Sequence, residues 1–126
     1  MQMLADEMKA EYDKGNYVIC GGDFNHDFTG NSREYFNAGT EKIYDWCQPF
    51  PADVLPEGFT LCADYAAGMV ASARNADMPY SEENFTVILD GFFVSENVEC
   101  TYVQNIDTAF AYSDHNPVVM KFNLKP

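Results

Sequence analysis

The chain has 126 residues, with 20 acidic side chains against 7 basic ones and a formal net charge of −13. That length suits one domain with a core of its own, and a hydrophobic share of 47% with 15% aromatics excludes a disordered chain. The acidity argues against non-specific tracking along nucleic acid, and no run nears the ~20 apolar residues of a membrane-spanning helix.

Residues 1–14 are expected to form an amphipathic helix. Met1, Leu4, Ala5, Met8 and Tyr12 recur at helical spacing, and Gly15 is the stop. Residues 16–21 follow as a strand, apolar enough that a central position covered on both faces is expected. Asn31 with Glu34 marks the start of a short helix ending at Gly39, and residues 40–46 add a turn or two. Pro49, Pro51, Pro56 and Gly58 make residues 48–60 an irregular surface segment, and residues 63–79 read as a loop with a helical turn. Residues 85–94 form a long strand interrupted at Asp90 and Gly91. Residues 98–105 and 117–124 are further strands, and Ser95-Glu96-Asn97 is expected to join the first two as a hairpin.

Cys20, Cys47, Cys62 and Cys100 show neither C-x-x-C pairing nor zinc-ligand spacing. Buried free thiols are expected, with a Cys47–Cys62 bridge as the alternative. No stretch has the layout of a signal peptide, and the compartment is not legible. Nor does the abundance of Asp make a calcium loop: Asp23-Phe24-Asn25-His26-Asp27 runs into Phe28-Thr29-Gly30 without the closing acid.

Chemistry concentrates at two places. Gly21-Gly22-Asp23-Phe24-Asn25 follows the apolar run Tyr17-Val18-Ile19-Cys20, and Ser113-Asp114-His115-Asn116-Pro117 precedes Val118-Val119-Met120. Side chains alternate along a strand, so Asp23 and Asn25 are expected to leave the first strand on one side. Two such strand ends bring Asp, Asn, Asp and His to one rim of a sheet, a set suited to metal-assisted attack of water on a phosphate ester. The plainer alternatives are a turn aspartate, a turn asparagine and a structural His–Asp hydrogen bond. Arg74, one of two arginines, is a candidate phosphate contact because a guanidinium binds phosphate in a bidentate manner. His26 and Asp27 are expected to be exposed loop residues. Tyr80, Phe92 and Phe93 are expected in the core or on a sheet face, with Phe110 and Tyr112 near the substrate mouth.

Leu89-Asp90-Gly91-Phe92-Phe93-Val94-Ser95 supplies a third motif. The ordered triple resembles the endonuclease/exonuclease/phosphatase superfamily, the deoxyribonuclease I-like fold. What the resemblance implies is the C-terminal half of an α/β sandwich, a mixed and mostly antiparallel sheet flanked by helices, with residues 1–126 as a single partial domain. The N-terminal half, which in that family carries a metal-binding Glu, has no counterpart in this sequence. By the same resemblance Asp23 orients or deprotonates the attacking water, and Asn25 donates its amide to the phosphate or holds Asp23. His115 contacts the scissile phosphate with its pKa raised by Asp90, and Asp114 holds Mg²⁺ or Mn²⁺.

The implied function is metal-dependent hydrolysis of a phosphate ester, this chain supplying part of the site. The substrate class stays open among nucleic acid, phosphoinositide, sphingomyelin-like lipid and small phosphoester. A contrasting reading makes the chain a catalytically inactive folding or association module. Its exposed sheet face would then pack on the missing N-terminal half or on a second copy.

Overall fold

A computed structural model describes residues 1–36, 46–65 and 69–126. The first element is helix α1 (Gln2–Asp13), whose buried residues Ala5 and Met8 lie along one stripe. It stops where Gly15 takes a φ of 87°, a left-handed turn that glycine enters without strain. The N–H of Gly15 and the N–H of Asn16 close the last turn on the carbonyls of Tyr12 and Glu11.

Strand β1 (Ile19–Asp23) pairs antiparallel with β7 (Asp90–Ser95), and β7 pairs on its other edge with β4 (Phe59–Cys62). The sheet order is therefore β1-β7-β4. This corrects the expectation for residues 16–21: β1 is an edge strand, and the central strand is β7. Val18 and Cys20 pack on the first core cluster while Tyr17 and Ile19 stay exposed, so the apolar run hides an alternation. Gly21 lies opposite Phe92, whose ring would sit 2.6 Å from any Cβ there, so a side chain at this position would force that ring to move.

Short strands β2 (His26–Asp27) and β3 (Gln48–Pro49) pair in parallel; β5 (Ala73–Arg74) and β6 (Thr86–Val87) pair antiparallel. Strand β8 (Val98–Asn105) pairs with β9 (Val118–Leu124), with a bulge between Cys100 and Tyr102. The hairpin expected through Ser95-Glu96-Asn97 is thus not formed. Both edges of β7 are already taken, so β8 leaves it and finds its partner at the end of the chain. The segment 48–60 is less irregular than its prolines imply, holding β3, a 3₁₀ turn at Ala52–Val54 and the start of β4. In the segment 63–79 the described residues carry β5 rather than a helical turn.

Helix α2 (Ser32–Tyr35) begins at Asn31, yet the cap is Asp27, whose Oδ2 accepts the Ser32 N–H at 2.7 Å. Asp27 also accepts from the Thr29 N–H and hydroxyl, at 2.9 and 2.7 Å. That corrects the exposed-loop expectation: Asp27 is buried because three local donors satisfy it, and His26 is half-buried. The ends expected at Gly39 and over residues 40–45 lie outside the described residues.

Two apolar clusters hold these pieces. Met8, Phe24, Phe59 and Phe93 form the first, with Phe93 4.1 Å from the Phe24 ring and 5.4 Å from Phe50. Ala73, Phe85, Val87 and Leu89 form the second, under β5 and β6. The whole is a mixed α/β chain with mostly antiparallel sheets and few helices. All four cysteines are free thiols, so the Cys47–Cys62 alternative is not formed. Among the described residues, no helix is long and apolar enough to cross a membrane.

Candidate active site

The β1–β7 ladder ends with Asp23 directly opposite Asp90. Facing carboxylates across a ladder repel, and an imidazole lies between them. His115 Nδ1–H donates to Asp90 Oδ2 at 2.9 Å, the ionised carboxylate being able only to accept. On the other side His115 Nε2 lies 3.7 Å from Asp23 Oδ2, an ion contact too long for a hydrogen bond. The hydrogen bond to Asp90 raises the His115 pKa above its ordinary value, against the opposing effect of burial; the charges of Asp90, Asp23 and Asp114 add to the rise.

Asp23 gains its direction locally. Its Oδ1 accepts the Asn25 N–H at 2.8 Å, closing a tight turn in which Asn25 has a φ of 52°. The alternation argument for Asn25 therefore fails, since the strand stops at Asp23 and Asn25 lies in a left-handed turn. Asn25 nonetheless holds Asp23, through its backbone and not its amide side chain.

His115 reaches Asp90 because its segment is pinned to β5. Ala73 and His115 form a bridge, and the Arg74 N–H donates to the Asp114 carbonyl at 2.9 Å. Arg74 and Asp114 are thereby cross-strand neighbours. The Arg74 guanidinium itself donates through Nη1 to the carbonyls of Asn75 (2.9 Å) and Met78 (3.3 Å), and lies 5.9 Å from the Tyr80 ring centroid. Tyr80 is half exposed and packs on Phe110 at 5.4 Å, while Tyr112 is almost wholly exposed.

Asp114 is half-buried, and its Oδ1 accepts the Ser113 hydroxyl at 3.3 Å. Among the described residues no three His, Cys, Asp or Glu side chains converge on a common point fit for a metal ion. Among the described residues Asp114 thus offers one carboxylate rather than a cage. The field of the rim is acidic even so. Burial pushes the Cys47 thiol up to about 12, and the charges of Asp27 and Asp23 add to that shift. Beside Asp90 a depression of about 240 Å³ is lined by Gly22, Gly91, Phe92, Asn116 and Val118.

Two buried polar residues next to the site were not singled out in the sequence. Ser72 is fully buried and its Oγ accepts the N–H groups of Leu89 and Asp90, at 3.0 and 3.1 Å. Asn116 donates to the Ala71 carbonyl and accepts from the Thr108 N–H and hydroxyl. Asn116 sits inside the Ser-Asp-His motif and was within reach of notice; Ser72, between two alanines, carries no sequence signal.

Compared with known proteins, the chain matches no family model, no curated protein and no solved structure.

Proposed function

We propose that this chain carries part of the active site of a phosphoester hydrolase of the deoxyribonuclease I-like type, with Asp23, Asp90 and His115 at its centre. The observation that supports the reading is the Asp90–His115–Asp23 run at one strand end, 2.9 Å and 3.7 Å. Three motifs distant in sequence converge there.

The following roles are our reading of these distances. Asp23 is the group that accepts a proton from the attacking water. His115, bonded through Nδ1 to Asp90, donates from Nε2 to an oxygen of the phosphate as negative charge develops. Entering and leaving oxygens lie on opposite sides of phosphorus in an in-line displacement. Groups 3.7 Å apart serve the same side, so His115 acts on a non-bridging oxygen and not on the leaving group. Arg74, cross-strand from Asp114, is the candidate for a second phosphate oxygen. Asp114 is the carboxylate offered to Mg²⁺ or Mn²⁺, which would draw its other ligands from water and phosphate and supply charge neutralisation.

Hydrolysis of bis-p-nitrophenyl phosphate with Mg²⁺ or Mn²⁺ tests this. Because one carboxylate is a poor metal site, turnover of residues 1–126 should fall far below the ~10 s⁻¹ of a typical enzyme. Any residual rate should vanish in His115→Ala and with EDTA. As a readout free of turnover, Mn²⁺ should broaden the His115 NMR signals in the native chain and not in Asp114→Ala. A residual rate untouched by His115→Ala, or broadening that survives Asp114→Ala, would refute the assignment.

A second reading, an inactive association module, is favoured by one observation. Ile19, Phe122 and Leu124 lie at strand surfaces and are 37–52% exposed.

A further inference from the structure

We propose that Ser72 is a positioning residue for the Asp90–His115 pair, its buried hydroxyl and its carbonyl tying the strand of one partner to the segment of the other. The inference rests on the reading that this pair works as a unit. Its geometry is independent of any substrate.

The β5–β6 ladder runs over Ala73↔Val87 and Arg74↔Thr86. One residue further along, the Ser72 N–H still donates to the Val87 carbonyl at 2.9 Å, and then the backbones part. The N–H groups of Leu89 and Asp90 would be left without a ladder partner at a buried place. On their other side, the Leu89 and Ile88 carbonyls are already engaged by the N–H groups of Phe24 and Phe28. A hydroxyl oxygen has two acceptor sites, and Ser72 Oγ spends them on those two donors. So the backbone entering Asp90 is held by a side chain.

The same residue faces the other partner. The Ser72 carbonyl accepts the Asn116 N–H at 2.7 Å, and the neighbouring Ala71 carbonyl accepts the Asn116 amide at 2.9 Å. With the Ala73↔His115 bridge, residues 71–73 bind 115–116 on one side and 87–90 on the other. Between these two grips stands the 2.9 Å bond from His115 Nδ1 to Asp90 Oδ2. Its length depends on how far apart Ser72 keeps the two backbones. Neither Ala nor Val at this position offers the acceptor, and a longer polar side chain would not fit where Ser72 is fully buried.

A purely structural serine would lower stability and leave the pair intact, which gives the test. The chain has only two histidines. His26 Nδ1–H is bonded to the Phe24 carbonyl and serves as an internal control. The downfield imidazole N–H proton of His115 reports its bond to Asp90, with Asp90→Asn as the reference for loss. In Ser72→Ala, folded by circular dichroism and with the His26 signal unchanged, the His115 signal should be lost or displaced as in Asp90→Asn. A folded Ser72→Ala with the native His115 signal overturns the proposal. Should Ser72→Ala fail to fold, Ser72→Cys, a near-isosteric change to a weak acceptor, is read by the same two outcomes. Because no turnover is measured, the hydrolase assignment and this one can fail separately.

Discussion

At the rim of the β1–β7 ladder one imidazole is shared by two carboxylates, and its protonation is the local quantity that experiments can reach. The folded chain raises the His115 pKa above 6.5, with the Asp90 hydrogen bond as the largest cause. A raised value means that the native state holds this proton more tightly than the unfolded chain does. The stabilisation is complete below the unfolded value and is lost as pH rises through the folded one. Urea melts from about pH 5.5 to about pH 8.5 should therefore show native stability falling across the upper part of that window. In Asp90→Asn this fall should be much reduced, and an unchanged slope would show that Asp90 is not the cause. A second prediction concerns thiols. Burial first of all pushes Cys47 and Cys62 up to about 12, so little thiolate is present at neutral pH. Native-state alkylation with iodoacetamide should spare both, as located by mass spectrometry, and urea should expose them. The convergence of Asp23, Asp90 and His115 was legible in the order of the motifs. Asn25 was misplaced because alternation presumes that a strand continues, and a φ of 52° ends it. The burial of Asp27 is not legible in the sequence because it depends on donors that its own turn provides.

Among elements, β7 is the one on which the others depend. It is paired on both edges, and Phe93, Val94 and Ser95 are almost completely buried. Phe93 packs against the rings of Phe24, Phe28 and Phe50, so its loss leaves a cavity that the segments around β1, β2 and β3 must collapse to fill. Phe93→Ala should cost about 3–5 kcal/mol in urea denaturation. Gly91 tests the opposite fault. A Cβ there would lie 3.0 Å from the Cys62 carbonyl and 3.1 Å from Phe28, so Gly91→Ala should cost about 1–3 kcal/mol by overpacking. If Gly91→Ala proves neutral, the β4–β7 spacing is looser than the packing around it implies. The strand pattern of β7 was visible in its apolar run, and so were α1 and its stop at Gly15. Pairing was not visible. Nothing local in Ser95-Glu96-Asn97 separates a hairpin from a crossing, because the outcome depends on β1 and β4 having claimed both edges of β7. The short strand β5 was hidden for a similar reason, since two residues carry no periodicity and acquire their order from β6 and His115.

At the scale of the whole molecule, the net charge of −13 opposes the apolar surface. Tyr17 and Ile19 are exposed on β1 and its approach, and Phe122 and Leu124 are exposed on β9. The Tyr17 hydroxyl donates to the Lys125 carbonyl at 2.6 Å, which sets Tyr17 beside the end of β9. Apolar surface of this kind favours association with a second copy, while like charges on both copies resist it. The charge term is screened with a Debye length of about 10 Å at 0.1 M salt and about 3 Å at 1 M; the apolar term is not weakened by salt. Sedimentation velocity should therefore show monomers at low ionic strength and a growing dimer fraction as sodium chloride is raised. Phe122→Asp, placed in the exposed strand surface and away from Asp23, Asp90 and His115, should abolish the dimer and leave the monomer folded. Monomers throughout the salt series would mean that the patch is too small or too divided to act as an interface, and would remove the support for the association reading. A dimer that persists in Phe122→Asp would move the contact to another face, for which the outer edges of β1 and β4, which have no strand partner among the described residues, are the next surfaces to test.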